Sequence, residues 1–158
     1  MKFDSWHISR PTIIATEVAL QRGAHEVFVI WAGLRSQPSP ACEVTQLIIP
    51  KQVPESTVFG VAVRIDGAEL ARIQFENFDR GERSYVQIHT HPGTNVEMSD
   101  LDRKREVVNH VGALSMMVPH YCANGLQTFR GVNVYEREQR EWRLWSPDET
   151  NKRIRISE

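Results

Sequence analysis

Two histidines one residue apart, His89 and His91, are followed by Pro92, a six-residue spacer and then Ser99-Asp100-Leu101-Asp102. On an extended strand side chains alternate between faces, so His89 and His91 project to the same side. Two imidazoles on one face can both reach a single cation at about 2.0–2.1 Å. Pro92 cannot continue an inner strand, so the chain turns directly after the second histidine. The loop over 93–98 then carries a helix start back toward the pair, where Asp102 offers a carboxylate oxygen as a third ligand. Two His and one Asp leave a fourth tetrahedral position open, which is the composition of a catalytic zinc site and not of a closed structural one. Such an ion brings the pKa of a water toward neutrality, and an acid/base group must still take a proton from it and hand one to a leaving amine. Ser99 could donate a hydrogen bond to the developing oxyanion.

Plainer readings of the same residues stay open. A His-x-His pair on a strand can be two surface histidines, and Ser99 with Asp102 three positions on is a helix N-cap with a favourable first-turn carboxylate. The cap and ligand roles are compatible, because a cap fixes Asp102 while its oxygen points at a metal. Co-occurrence of both patterns within one short stretch favours the metal.

Competing chemistries fail on spacing. His25-Glu26 does not open an HExxH motif, because Val29 stands where the second histidine is needed. Cys42 and Cys122 cannot supply the PCxxC pair of a zinc nucleobase deaminase, a four-thiolate site or a disulfide framework. Neither a GxSxG elbow nor a glycine-rich phosphate loop is present. His7, His110 and His120 read as ordinary polar or packed histidines. Trp31, Trp142 and Trp145 read as core or half-buried strand residues, and Cys122 as a buried thiol.

The elements that must position these groups follow from punctuation and periodicity. Ser9 and Pro11 signal a helix over 10–23 that Gly23 stops, with Ile13, Ile14, Ala15, Val18 and Ala19 as its apolar stripe. Residues 26–34 are β-branched, aromatic and nearly all apolar, the pattern of a buried strand. A loop over 36–40 leads to a strand over 44–49, and 58–65 reads as a third. Asp66 and Glu69 resemble a capping box opening a helix that ends at Gly81 and carries Leu70, Ile73, Phe75 and Phe78. A strand over 84–89 precedes the histidine loop, and a helix is expected from Ser99 to Gly112 with Leu101, Val108 and Val111 on one face. Residues 114–118, 128–135, 142–145 and 154–156 read as later strands. Lys152 to Arg155 reads as a solvated strand edge. Without a regular βαβ rhythm, this mixture predicts an α/β sandwich in which helices flank a mixed, curved sheet.

The 158 residues suit one domain spanning 1–158, with 41% hydrophobic and 25% charged residues. Lys plus Arg number 19 against 20 Asp plus Glu, a formal charge of −1, which removes the electrostatic case for a dedicated nucleic-acid binder. No window approaches the apolar length of a membrane span, and the N-terminus lacks a signal-peptide core. With two widely separated cysteines, the expectation is a cytoplasmic protein with reduced thiols and no membrane partner.

His89-Thr90-His91-Pro92 followed by Ser99-Asp100-Leu101-Asp102 resembles the JAMM motif of the JAB/MPN+ metalloprotease family, His-Ser/Thr-His-Pro-x6-Ser-x-x-Asp. The family also places a glutamate at the start of a buried strand that ends in glycine, the setting of Glu26 in the run from His25 to Gly33. The likeness covers roughly Pro11 to Tyr135. It implies a single-domain MPN/JAB (cytidine-deaminase-like) sandwich, one catalytic Zn2+ on His89, His91 and Asp102, Glu26 as the general acid/base and Ser99 as the oxyanion partner. Glu17 competes for the base role but lies mid-helix without the following strand. Departures are Val29, where the family often has a small residue, and the lack of glycine in the strand before His89. The resemblance further implies an isopeptidase or peptidase acting after the C-terminal glycine of a ubiquitin-like protein. Compact bacterial members act beside E1-like and E2-like proteins, some in antiphage systems. Maturation of a sulfur-carrier protein, a non-catalytic MPN scaffold and a RadC-like domain are the rival readings. The complete ligand set speaks against the scaffold, and near-zero net charge with the missing HNHPSG form against the RadC-like one.

Overall fold

The computed structural model describes residues 2–58 and 60–158. In chain order the elements are β1 (Ser5–Ser9), α1 (Arg10–Leu20), β2 (Phe28–Leu34), β3 (Ala41–Val44), β4 (Gln46–Ile48), β5 (Val53–Thr57), β6 (Gly60–Arg64), α2 (Gly67–Asp79), β7 (Glu82–Thr90), α3 (Asp100–Lys104), β8 (Leu114–Val118), β9 (Asn133–Arg137), β10 (Trp142–Leu144), α4 (Pro147–Arg153) and β11 (Ile154–Ser157). Among the described residues no helix is long and apolar enough to cross a membrane.

A six-stranded mixed sheet in the order β10-β9-β8-β7-β2-β4 forms the centre. Its β7–β8 pair is parallel and its other pairs are antiparallel. A parallel three-stranded sheet, β11-β1-β3, and the β5–β6 hairpin complete the strands. The expected mixed α/β architecture with flanking helices is the one observed.

Strand β2 shows why its sequence is apolar almost throughout. Val29 and Trp31 join the cluster that contains Ile13, Ala19 and Leu20 of α1. Phe28 and Ile30, on the opposite face, join Ile73 of α2 together with Met98 and Met117. Alternation thus sends successive residues into two cores, and both need apolar side chains. Trp31 Nε1 also donates to Thr16 Oγ1 at 2.9 Å, tying α1 to the sheet. Strand β7 lies between β2 and β8, with Ile88 in the α1-side core and His89 on the face shared with Phe28.

Several elements differ from expectation. Helix α1 ends at Leu20, before Gly23, and its Ile14 and Val18 are exposed, so the buried stripe is narrower than the apolar positions suggest. The strand expected over 44–49 is divided: Thr45 N–H donates to Ala32 O, and the chain passes there from the three-stranded sheet to the six-stranded one. Of the strand expected over 58–65, Phe59 lies outside the described residues and Gly60–Arg64 forms β6. Asp66 precedes α2 without capping it through its side chain. Its carboxylate meets Arg64, while Glu69 accepts from Lys51 N–H and Arg72. The face of α2 turned to the sheet carries Glu69, Ile73 and Asn77, leaving Phe75 and Phe78 outside.

The helix expected to reach Gly112 stops at Lys104. Gln87 Oε1 accepts from both Val107 N–H and Val108 N–H at 2.9 Å, so those donors are taken by the sheet instead of a helical ladder. The segment over 52–60, read from sequence as loop, contributes strand β5, Val53–Thr57, paired with β6, and β1 and α4 were also not anticipated. Strand β1 is the central member of its sheet, and α4 opens on a capping box of Ser146 and Glu149.

Candidate metal centre

Strand β7 ends at Thr90, and its last turn of ladder sets the site. Phe28 pairs with His89 across β2 and β7. Beyond that pair, Thr90 N–H donates to Val27 O at 3.1 Å and Val27 N–H to Thr90 Oγ1 at 3.0 Å. Carrying the antiparallel register on by two residues sets Glu26 opposite His91, on the face that Phe28 and His89 share. The loop after Pro92 returns through buried Met98 to α3, where Ser99 Oγ accepts Asp102 N–H at 3.0 Å and Ser99 N–H donates to Asp102 Oδ2 at 2.9 Å. This capping box turns the Asp102 carboxylate toward the histidines.

His89, His91 and Asp102 converge. His89 Nε2 lies 3.0 Å from His91 Nε2 and 3.2 Å from Asp102 Oδ1, and His91 Nε2 lies 3.5 Å from Asp102 Oδ2. A tetrahedron with bonds of 2.0–2.1 Å has edges of about 3.3 Å, the scale of these separations. The proton positions point the same way. His91 Nδ1 is 2.8 Å from Asn95 O, and a carbonyl only accepts, so Nδ1 carries a proton and, in the neutral ring, Nε2 presents a lone pair. A lone pair and a carboxylate facing each other are satisfied by a cation, and two imidazoles with one carboxylate could hold a metal ion. His89 Nδ1 is buried without a hydrogen-bond partner among the described residues. The ring is held instead by stacking on Phe28, with centroids 5.8 Å apart and planes 7° from parallel.

Burial pushes the Asp102 carboxyl up, but its bonds to His89 and His91 and to Ser99 N–H outweigh this and hold it well below the usual carboxylate range. Burial pushes His91 down, and the Asp102 carboxylate with Asn95 O more than reverses that. Glu26 is buried, which pushes its carboxyl up; His89 and His91 pull it partly back and Asp102 adds to the rise. The net result is a carboxyl readier than an ordinary glutamate to hold a proton.

A cleft of about 300 Å³ opens over the site, with Glu26, Phe28, His89 and Asp102 in its wall. The β6 strand borders it through Ala62, Val63 and Arg64. Arg105 also lines it, pairing with Glu55 of β5 at 2.5 Å and donating to Val63 O at 3.4 Å.

Each residue singled out from sequence can now be located. His89, His91 and Asp102 are brought together, and Glu26 reaches the same cleft. Ser99 is exposed and its oxygen serves as the cap of α3. Glu17 does not line the cleft: it accepts from Leu126 N–H and Gln127 Nε2 on the α1 side. Sequence reasoning missed Phe28 and Asn95. Phe28 stands two residues after Glu26, the spacing that puts both on one face. Asn95 acts through its carbonyl, which no residue type announces.

No family model matches the sequence. The chain is 32% identical over 98 residues to the probable metalloprotease y4jG of Sinorhizobium fredii. The match covers 62% of this chain and 59% of that protein, so the chain spans less than two thirds of the relative's length. That relative's name gives the metalloprotease class and no narrower family. The structure is similar to the solution structure of protein DSY2949 from Desulfitobacterium hafniense, with a TM-score of 0.67 at 11% identity over 97% of this chain and 93% of that one. This is a likeness of fold. It is also similar to the crystal structure of AF2198, a JAB1/MPN domain protein from Archaeoglobus fulgidus, with a TM-score of 0.48 at 11% identity over 98% and 99% of the two chains.

Proposed function

We propose that the chain is a JAMM-type zinc metallopeptidase that hydrolyses the amide bond after the C-terminal glycine of a ubiquitin-like protein. The observation that carries this reading is the convergence of His89, His91 and Asp102 in one cleft with the buried carboxyl of Glu26. The name of the S. fredii relative supports the same class of chemistry. The setting is a bacterial ubiquitin-like conjugation system with E1-like and E2-like proteins, of the kind used against phage.

His89, His91 and Asp102 would hold the ion, which supplies Lewis-acid polarisation of the scissile carbonyl and a lowered pKa for a water. The remaining steps belong to the chain's own residues. Glu26 takes a proton from the attacking water and delivers one to the departing nitrogen, and its burial-raised affinity for a proton suits both duties. The water oxygen bonds to the carbonyl carbon, the C–N bond breaks, one water proton ends on the amine and the glycine departs as a carboxylic acid. Ser99 accepts the Asp102 N–H and keeps its own hydroxyl proton to donate to the developing oxyanion. Small glycines at the end of an extended tail fit between β6 and the metal ligands, where strand addition can guide them.

The test is cleavage by zinc-loaded protein of two ubiquitin-like fusions, one continuing from Gly-Gly as a linear peptide and one joined to a lysine side chain. Hydrolysis of the branched fusion after the last glycine, abolished by a chelator and by Glu26→Gln, is expected. Hydrolysis of the linear fusion alone would favour maturation of a sulfur-carrier precursor. Cleavage of neither contradicts the reading.

A further inference from the structure

Behind the histidine pair the backbone is left-handed over three consecutive non-glycine residues. His120, Tyr121 and Cys122 have φ of +55°, +50° and +65°. A β-carbon makes that conformation unfavourable, and it persists where the surroundings over-determine it, most often at active sites. The determinants are visible. Tyr121 N–H donates to His91 O at 3.0 Å, His120 N–H to Gly93 O at 3.1 Å, and Gln21 Nε2 to Cys122 O at 2.8 Å. Tyr121 is therefore fastened to the main chain of a residue whose ring joins the metal cluster.

The turn decides where the tyrosine ring stands. It lines a groove of about 210 Å³ together with Ala24, Glu26, Pro54, Val61 and Ala62. Glu26 and Ala62 also line the larger cleft that holds His89 and Asp102. The two depressions meet at the acid/base residue, so a substrate crossing the metal site occupies both. Their charges differ. The larger cleft contains Arg64, Lys104 and Arg105 together with Asp102 and Glu106. The smaller groove has neither lysine nor arginine among its described lining residues; besides Tyr121 its titratable groups are His25, Glu26 and Glu55, the last paired with Arg105. The groove adjoins Glu26, the carboxyl that hands a proton to the departing nitrogen, and sets Pro54 and Val61 beside it as an aliphatic wall.

Resting on the hydrolytic reading above, we propose that Tyr121 is a specificity-determining residue on the leaving-group side. Its ring, with Pro54 and Val61, receives the aliphatic stem of the residue whose nitrogen departs, whether a lysine side chain or an aliphatic residue after a linear bond.

The experiment compares glycyl amides that differ only in the amine: lysine through its ε-nitrogen, leucine, aspartate and methylamine. Wild type should prefer lysine and leucine to aspartate. Tyr121→Ala and Tyr121→Gly should each lower kcat/KM for the lysine and leucine amides by about tenfold or more, chiefly through KM, and leave the methylamide unchanged. Tyr121→Phe should keep the preference. The glycine variant suits the left-handed backbone and remains informative if the alanine variant misfolds. Titrating lysine amide into the protein should shift the NMR signals of Ala24 and Val61 in wild type and not in Tyr121→Gly. An unchanged preference in the variants, or an equal loss on every amide including the methylamide, overturns the proposal. If wild type hydrolyses no amide, the hydrolytic reading fails, and absence of the NMR shift then overturns the groove as well.

Discussion

Phe28 and His89 face each other across the β2–β7 ladder, with their rings stacked 7° from parallel. The same pairing buries an imidazole that has no hydrogen-bond partner at Nδ1 among the described residues and leaves Nε2 aimed at Asp102. Metal-binding histidines usually have their second nitrogen oriented by a polar group. Here an aromatic face does that work.

Phe28→Ala should therefore weaken zinc affinity, by about 10- to 100-fold, the usual cost of losing an orienting partner. Phe28→Leu restores buried volume without a flat ring and should fall between the two. Competition with a chromophoric chelator reads the effect. Equal affinities in all three proteins would mean that the ring is held some other way.

The capping box makes a second, separable prediction. Ser99→Ala removes the acceptor for Asp102 N–H, at a cost of about 0.5–2 kcal/mol for a lost cap. Because α3 is only five residues long, the loss reaches the ligand itself, and zinc affinity should drop with turnover. Ser99→Thr keeps the cap and should stay near wild type in affinity. If Ser99→Ala lowers turnover with full zinc affinity, the hydroxyl acts on the oxyanion alone.

Acid stability should depend on Glu69. Its hydrogen bonds from Arg72, opposed by burial and aided by Lys51 N–H, lower the carboxyl from 4.5 to about 2. A folded-state value below the unfolded one means that the contribution is full above about pH 4.5 and disappears as pH falls toward 2. The difference in Tm between wild type and Glu69→Gln should be constant near neutrality and shrink through that window. A difference that stays constant down to pH 2 would contradict the pairing.

How far the sequence could be read depended on whether a signal was local. His89, His91 and Asp102 lie within one strand, loop and helix start, where spacing alone determines side. Glu26 reaches them through a ladder whose Val27–Thr90 contact spans 63 positions, which no periodicity reports; only the family likeness pointed to it. Helix α4 has a Ser-Pro-x-Glu start as clear as any in the chain, yet its PDETNKR sequence holds no apolar residue and so no period. Strand β1 alternates correctly, with Trp6 and Ile8 in the core, but five residues are too few to stand out. The expected length of α3 failed because Gln87, a distant side chain, competes for its donors.

The most direct measurement is metal content and turnover on the same preparations of wild type, Glu26→Gln and Asp102→Ala. Wild type should retain about one zinc per chain and cleave a Gly-Gly-terminated amide. Glu26→Gln should retain the metal and lose about 10²–10⁴ in kcat, as removal of a general acid/base does. Asp102→Ala should lose most of the zinc together with activity. Full zinc occupancy in Asp102→Ala, or undiminished turnover in Glu26→Gln, would contradict the assignment of the site.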